Sequence, residues 1–157
     1  MFPLKDNIPT ERFPYVTVGL IVVNVLAYFL FQHGTISLGS PNDPAYLSNL
    51  FRYAFIPYEL THPGVQCIPE GSAIACVKGP NLPPTSETVF TAMFMHGGLL
   101  HLGGNMLFLW IFGNNVEDAM GRVRYLAFYL LGGCAALAGQ ILIDPSSTVP
   151  TLGASGA

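Results

Sequence analysis

The stretch His96-Gly97-Gly98-Leu99-Leu100-His101-Leu102-Gly103-Gly104-Asn105 sets two imidazoles and a carboxamide where hydrocarbon is expected. Between Glu87 and Glu117 no residue carries a formal charge, so Thr88 to Val116 holds enough apolar chain to cross a bilayer as a helix. Polar groups inside such a span are costly and are retained for function or pairing. At helical spacing His101 and Asn105 are i and i+4 and share a face, whereas His96 points about 140° away from His101. His101 and Asn105 therefore form one constellation, and His96 is expected to do a different job. The glycines at 97, 98, 103 and 104 each weaken a helix by about 1 kcal/mol relative to alanine in water. In a membrane they let another backbone approach closely.

Composition agrees with a membrane setting. Apolar residues make up 51% of the 157, and charged ones 10%, against about a quarter in ordinary soluble domains. The net charge of -3 comes from scattered residues with no basic tract, which excludes nucleic-acid binding. Cys67 and Cys76 lie in a Pro/Gly-rich loop and are either a small disulfide in an oxidising compartment or two free thiols. Cys134, among Gly132, Gly133 and Ala135, reads as a small packing residue.

Around the central stretch the chain divides into three apolar spans. The first, about 15–32, follows an amphipathic lead from Met1 to Phe13 and reads as an uncleaved anchor, because no small-x-small cleavage site follows it. His33 at its end is an interfacial polar residue. A long connection, 34–87, contains an apolar patch at Leu50-Phe51-Arg52-Tyr53-Ala54-Phe55-Ile56-Pro57, expected as an interfacial or re-entrant helix with the tyrosines at headgroup level. Pro63 to Pro84 reads as an irregular excursion, with His62 a solvated loop residue. The second span is expected over about 90–112, with Gly113 to Arg122 as the turn after it. The third, 125–143, has 19 uncharged residues, about 28 Å of helix, with a small-residue surface from Gly132 to Gly139. A fourth would begin near Ser155. The fold class is thus all-α, a polytopic transmembrane bundle.

Lys5 and Arg12 before the first span and Arg122 and Arg124 after the second put the N-terminus in the cytoplasm and the long loop outside. The second span then enters from outside and the third returns there. His96, His101, Asn105 and Ser155 converge on one depth.

Ser155, flanked by Gly153 and Gly156 at the mouth of a fourth helix, would have free backbone N–H groups beside its hydroxyl. That suits a nucleophile whose reaction develops an oxyanion, with Asn105 and His101 as further donors. The bland alternative is a packing motif of small residues. The hydrolase elbow Gly-x-Ser-x-Gly is not matched, since position 157 is Ala and no strand precedes the serine. A metal or haem site on His96 and His101 is disfavoured, because i, i+5 spacing does not converge on one ion and no Cys or carboxylate completes the set.

Taken together, His96, His101 and Asn105 on a second span, Glu117 with Gly121, Arg124 and Tyr125 after it, and Gly153-Ala154-Ser155-Gly156-Ala157 resemble the rhomboid intramembrane serine proteases. The resemblance implies a rhomboid-like bundle of six helices, or six plus one, in which Ser155 attacks a peptide bond within the bilayer. Asn105, His101 and the serine's own amide would hold the oxyanion, and His96 would tie the second helix to neighbouring loops. It implies single-span membrane proteins as substrates, no cofactor and no metal. The location expected with it is the plasma (inner) membrane of a prokaryote. Two departures stand out. The family's base is a histidine on a later helix, and none follows Ser155 in these 157 residues. Arg52-Tyr53 stands where some relatives carry Trp-Arg, and the single tryptophan is Trp110. The stretch is therefore expected to be the N-terminal part of a longer protein, inactive by itself. A non-proteolytic rhomboid-like protein that binds or escorts membrane clients is the alternative.

Overall fold

In the first apolar run the backbone polar groups have no partners but one another, and the chain becomes helical directly after Pro14. The computed structural model describes residues 11–36, 43–71, 73–79 and 85–156. Lys5 and the rest of the lead to Thr10, part of the long connection and Ala157 lie outside the described residues. Helix α1 covers Tyr15–Leu26 and widens into a π-helical turn at Ala27–Phe31. It has no side-chain cap of its own. Its first-turn donors are met by Glu117 from across the bundle: Val16 and Thr17 N–H donate at 3.0 and 2.8 Å, and the Thr17 hydroxyl at 2.9 Å. Glu117 is 4% exposed, so this carboxylate does internally what water does for an exposed helix end.

The expected second span is divided. Helix α4, Thr85–Thr91, runs into a 3-10 turn at Ala92–Phe94, Met95 to Gly98 are non-helical, and α5 covers Leu99–Met120. His96 therefore lies before the helix, and the angle reckoned along one helix does not apply to it. The turn expected over Gly113 to Arg122 shrinks to Gly121, at φ +80°, after which α6 runs Arg122–Ile143. Asn114 to Asp118 stay helical because Glu117 has buried donors to satisfy. Gly113 sits at the closest approach here: a Cβ would lie 2.5 Å from the Tyr125 hydroxyl and 3.1 Å from Thr17. Helix α5 packs on α1 and α6, with Leu20, Tyr125 and Tyr129 buried between them.

The long connection is more ordered than its composition suggests. Helix α2, Pro44–Tyr53, starts at Asp43, whose carboxylate accepts from Ala45 N–H at 2.7 Å, with Pro44 at the first helical position. A short α3, Pro57–Thr61, follows. In place of an irregular excursion, strands β1, Val65–Glu70, and β2, Ala73–Lys78, form an antiparallel hairpin that pairs Cys67 with Cys76, and a disulfide joins them. The all-α expectation is corrected to a mostly helical chain with this small sheet. Nor is the apolar patch laid on a lipid surface. Leu50, Phe51, Ala54, Phe55 and Ile56 are buried, and several pack with Tyr28, Tyr46, Cys67 and Leu102 in one core.

Among the described residues, α6 is the helix long and apolar enough to cross a membrane, with mean hydropathy 1.9. Its 22 residues span about 33 Å. Helix α5 matches it in length, but its histidine, asparagines and acidic residues lower its apolarity. The apolar run Tyr15–Phe31 is shorter. Three complete spans are therefore not established by length and hydropathy. Just 17% of the most apolar stretch of α6 is buried, whereas the core helix of a water-soluble domain would be mostly covered. Leu126, Phe128, Leu131, Leu142 and Ile143 are all exposed, an apolar face suited to lipid.

Candidate functional site

The non-helical segment Met95 to Gly98 is held by its backbone. Gln32, fully buried just past the π turn, clasps the main chain of His96: the His96 N–H donates to Gln32 Oε1 at 2.9 Å, and Gln32 Nε2 donates to the His96 carbonyl at 3.0 Å. The Tyr46 hydroxyl from α2 donates to the same carbonyl. The His96 ring is also fully buried. Its Nδ1 hydrogen-bonds the Phe94 carbonyl at 3.2 Å, so Nδ1 carries the proton and Nε2 is left as a buried acceptor without a partner.

One turn into α5, the polar face emerges. His101 Nδ1 accepts the Gly97 N–H at 3.2 Å. Asn105, on the same face as i+4 spacing requires, has a buried Nδ2 with no hydrogen-bond partner. The rings of His96 and His101 meet edge to face at 5.2 Å, which makes His96 a neighbour of the constellation from the opposite side.

The serine segment is brought to this face by two backbone anchors. Phe55 and Thr151 form an isolated antiparallel bridge, with N–H···O distances of 3.1 and 2.7 Å. Gly153 N–H donates to the Ala92 carbonyl at 2.9 Å. Gly153 itself sits at φ +107°, and a Cβ there would lie 2.8 Å from His101 Nε2 and Cε1 and 3.2 Å from Asn105 Nδ2. Both the backbone angle and the contact require glycine. Beyond it, Ala154–Gly156 form a 3-10 turn that leaves Ser155 exposed. Gly156 lies against α6, where a Cβ would come 2.8 Å from Ala136 Cβ. Asn105 and Ser155 line one groove of about 460 Å³, walled by Phe108, Leu109, Phe112 and Tyr129.

His101, Asn105, Gly153 and Ser155 are thus brought to one place, while His96 stands behind His101. An exposed hydroxyl that shares an apolar groove with an unpartnered amide donor can attack a carbonyl carbon once a base takes the hydroxyl proton, the donor stabilising the oxyanion that the opened C=O becomes. Among the described residues no group of three or more His, Cys, Asp or Glu side chains is placed to hold a metal ion. Gln32 and Tyr46 are the functional-site neighbours that sequence reasoning misses. The one available signal is a carboxamide at the end of an otherwise apolar run.

Residues 85–157 match the family model described as the Rhomboid domain. Over this stretch, just under half of the 157 residues, the chain is similar to a Rhomboid domain. It is 33% identical over 69 residues to RHOMBOID-like protein 5 of Arabidopsis thaliana, covering 44% of this chain and 22% of that protein. Against Rhomboid protease GluP of Bacillus subtilis it is 39% identical over 69 residues, 44% of this chain and 13% of that one. Against Presenilin-associated rhomboid-like protein, mitochondrial, of Homo sapiens the identity is 30% over 82 residues, 47% and 21% of the two chains. The matches thus span at most about a quarter of the curated relatives' length. No solved structure matches. Rhomboid proteins are membrane-embedded, and the exposed apolar face of α6 is consistent with such a setting.

Proposed function

We propose that this rhomboid chain contributes the nucleophile and part of the oxyanion site of a serine endopeptidase that cleaves transmembrane segments of single-span membrane proteins within the bilayer. One observation carries the reading: the buried, unpartnered Asn105 Nδ2 lies against Gly153, two residues before the exposed Ser155, in a shared groove. A buried donor without an acceptor costs about 1–3 kcal/mol, a cost that an oxyanion formed at Ser155 would remove during reaction. Ser155 is the nucleophile, and Asn105 and His101 are the donors. Gly153 and Gly156 let the segment seat between α5 and α6. The base is a group supplied from outside the described residues, and the reaction needs neither metal nor cofactor. A relative named as a protease supports the reading.

The test is cleavage of a single-span substrate with small residues near the outer end of its span, by the full-length protein in liposomes. Wild type is expected to cleave it and Ser155→Ala to leave none. A wild type that retains the substrate without cutting it would move the chain to the client-binding reading. The orientation proposed is an N-terminus in the cytoplasm of a prokaryote and the disulfide hairpin outside the plasma membrane, on the placement of Arg12, Arg122 and Arg124. Glu70→Cys, at the exposed end of β1, is expected to react with an impermeant maleimide on intact cells. Reaction confined to permeabilised cells would reverse the topology.

A further inference from the structure

Gln32 and Tyr46 come from segments outside the matched Rhomboid domain, yet both close on the backbone of one residue, His96. The clasp by Gln32 satisfies the N–H and C=O of His96 at once, and Tyr46 adds a second donor to that carbonyl. A carboxamide that bonds the N–H and C=O of one residue acts as a strand neighbour, and holding the His96 carbonyl fixes the plane of the peptide unit between His96 and Gly97. The next N–H along the chain belongs to Gly97, and it points at His101 Nδ1. A donor facing Nδ1 requires the Nδ1 lone pair, so the neutral imidazole carries its hydrogen on Nε2. Nε2 is the ring atom against Gly153, on the Ser155 side.

The geometry points to Gln32 and Tyr46 as positioning residues that set the His101 tautomer: through His96 and the Gly97 N–H they keep the Nε2 hydrogen turned toward the serine segment. The π turn at Ala27–Phe31 serves this arrangement. Such turns are rare and frequently found at functional sites, and here Gln32 follows directly, its own N–H bonded to the Ala27 carbonyl at 2.8 Å. His33 next to it takes the left-handed φ of +57°, a conformation uncommon for side-chain-bearing residues but more frequent for Asn, Asp and His. The backbone on both sides of Gln32 is thus irregular, and Gln32 is fully buried with both amide atoms used.

The role in catalysis rests on the protease reading, whereas the tautomer does not, and the experiment separates the two. Imidazole nitrogen NMR on the full-length protein in bilayers is expected to show His101 with a bare Nδ1 and a protonated Nε2. Gln32→Met, which keeps length and apolar volume but loses both bonds, is expected to give a mixture of tautomers and a kcat at least about tenfold lower at unchanged KM, the kind of loss a misplaced catalytic group produces. Tyr46→Phe, which removes one donor and keeps the ring, is expected to show the same change to a smaller degree and decides the matter if Gln32→Met does not fold. A protonated Nδ1 in wild type, or folded variants with an unaltered His101 spectrum, would overturn the proposal. A wild type that fails to cleave substrate yet shows the expected spectrum and its loss in Gln32→Met defeats the protease reading and upholds this one.

Discussion

The two ends of α5 solve opposite problems. At its C-terminal end Glu117 is buried with three donors around its carboxylate, and Gly113 lets Tyr125 and Thr17 close in. At its N-terminal end Asn105 keeps a buried donor without a partner, and it faces Gly153, at φ +107°. One end of the helix is spent on holding α1, and the other keeps an unpaired donor, which the proposed reaction would use. The two ends are therefore expected to be separable, one governing stability and the other turnover.

Four substitutions break or sharpen that contrast. The largest effect on turnover is expected for Asn105→Ala in the full-length protein: kcat falls by about 10²–10³, while thermal stability holds or rises because an unsatisfied donor is gone. A loss of stability with turnover intact would make Asn105 a packing residue. Next comes Glu117→Ala, which strands two N–H groups and a hydroxyl of α1 and is expected to lower unfolding free energy by about 3 kcal/mol; chemical denaturation reads it. The folded fraction should keep its kcat. Gly113→Ala overfills the same end and is expected to cost about 1–3 kcal/mol, with turnover again spared.

The smallest effect concerns the loop that serves both ends. Burial raises the Glu59 carboxyl above its ordinary pKa, with the Cys67 N–H, bonded to it at 2.8 Å, pulling the other way. A carboxyl raised in the folded state binds its proton more tightly there than when unfolded. Stability is then highest below the unfolded value near 4.3, falls as pH rises to the folded value, and is level above it. Glu59→Gln is expected to remove this slope in a series of melting curves from mildly acidic to neutral pH, and a slope that persists would assign it to another group.

Much of this was legible in the residues because the decisive signals were periodic. The uncharged run before Asp144 announced α6, and the i, i+4 placement of His101 and Asn105 needed nothing beyond helix geometry. Reading failed where a tertiary partner overrode local character. Asn114 to Asp118 look like a loop, yet they stay helical to deliver Glu117 to α1. Val65–Glu70 carries Pro69 and little alternation, so a strand showed itself only through its pairing with Ala73–Lys78 and the disulfide. The role of Gln32 has no local signature beyond a carboxamide at the end of an apolar run, since its partner is the main chain of His96, far along the sequence. Of the site, the residues on α5 and around Ser155 could be named in advance, and the supports that aim them could not.

The bridge between Phe55 and Thr151 has a consequence for how the protein is made. It joins positions separated by more than half the described chain, and contacts of such long separation form late, after the closure entropy of the intervening loop has been met. The serine segment therefore emerges after the loop it must find, a loop made long before. Until α2, α3 and the hairpin have settled on the bundle, Thr151 has no strand to join and Ser155 no fixed address. Among the described elements, the serine segment is thus set in place after the loop that receives it.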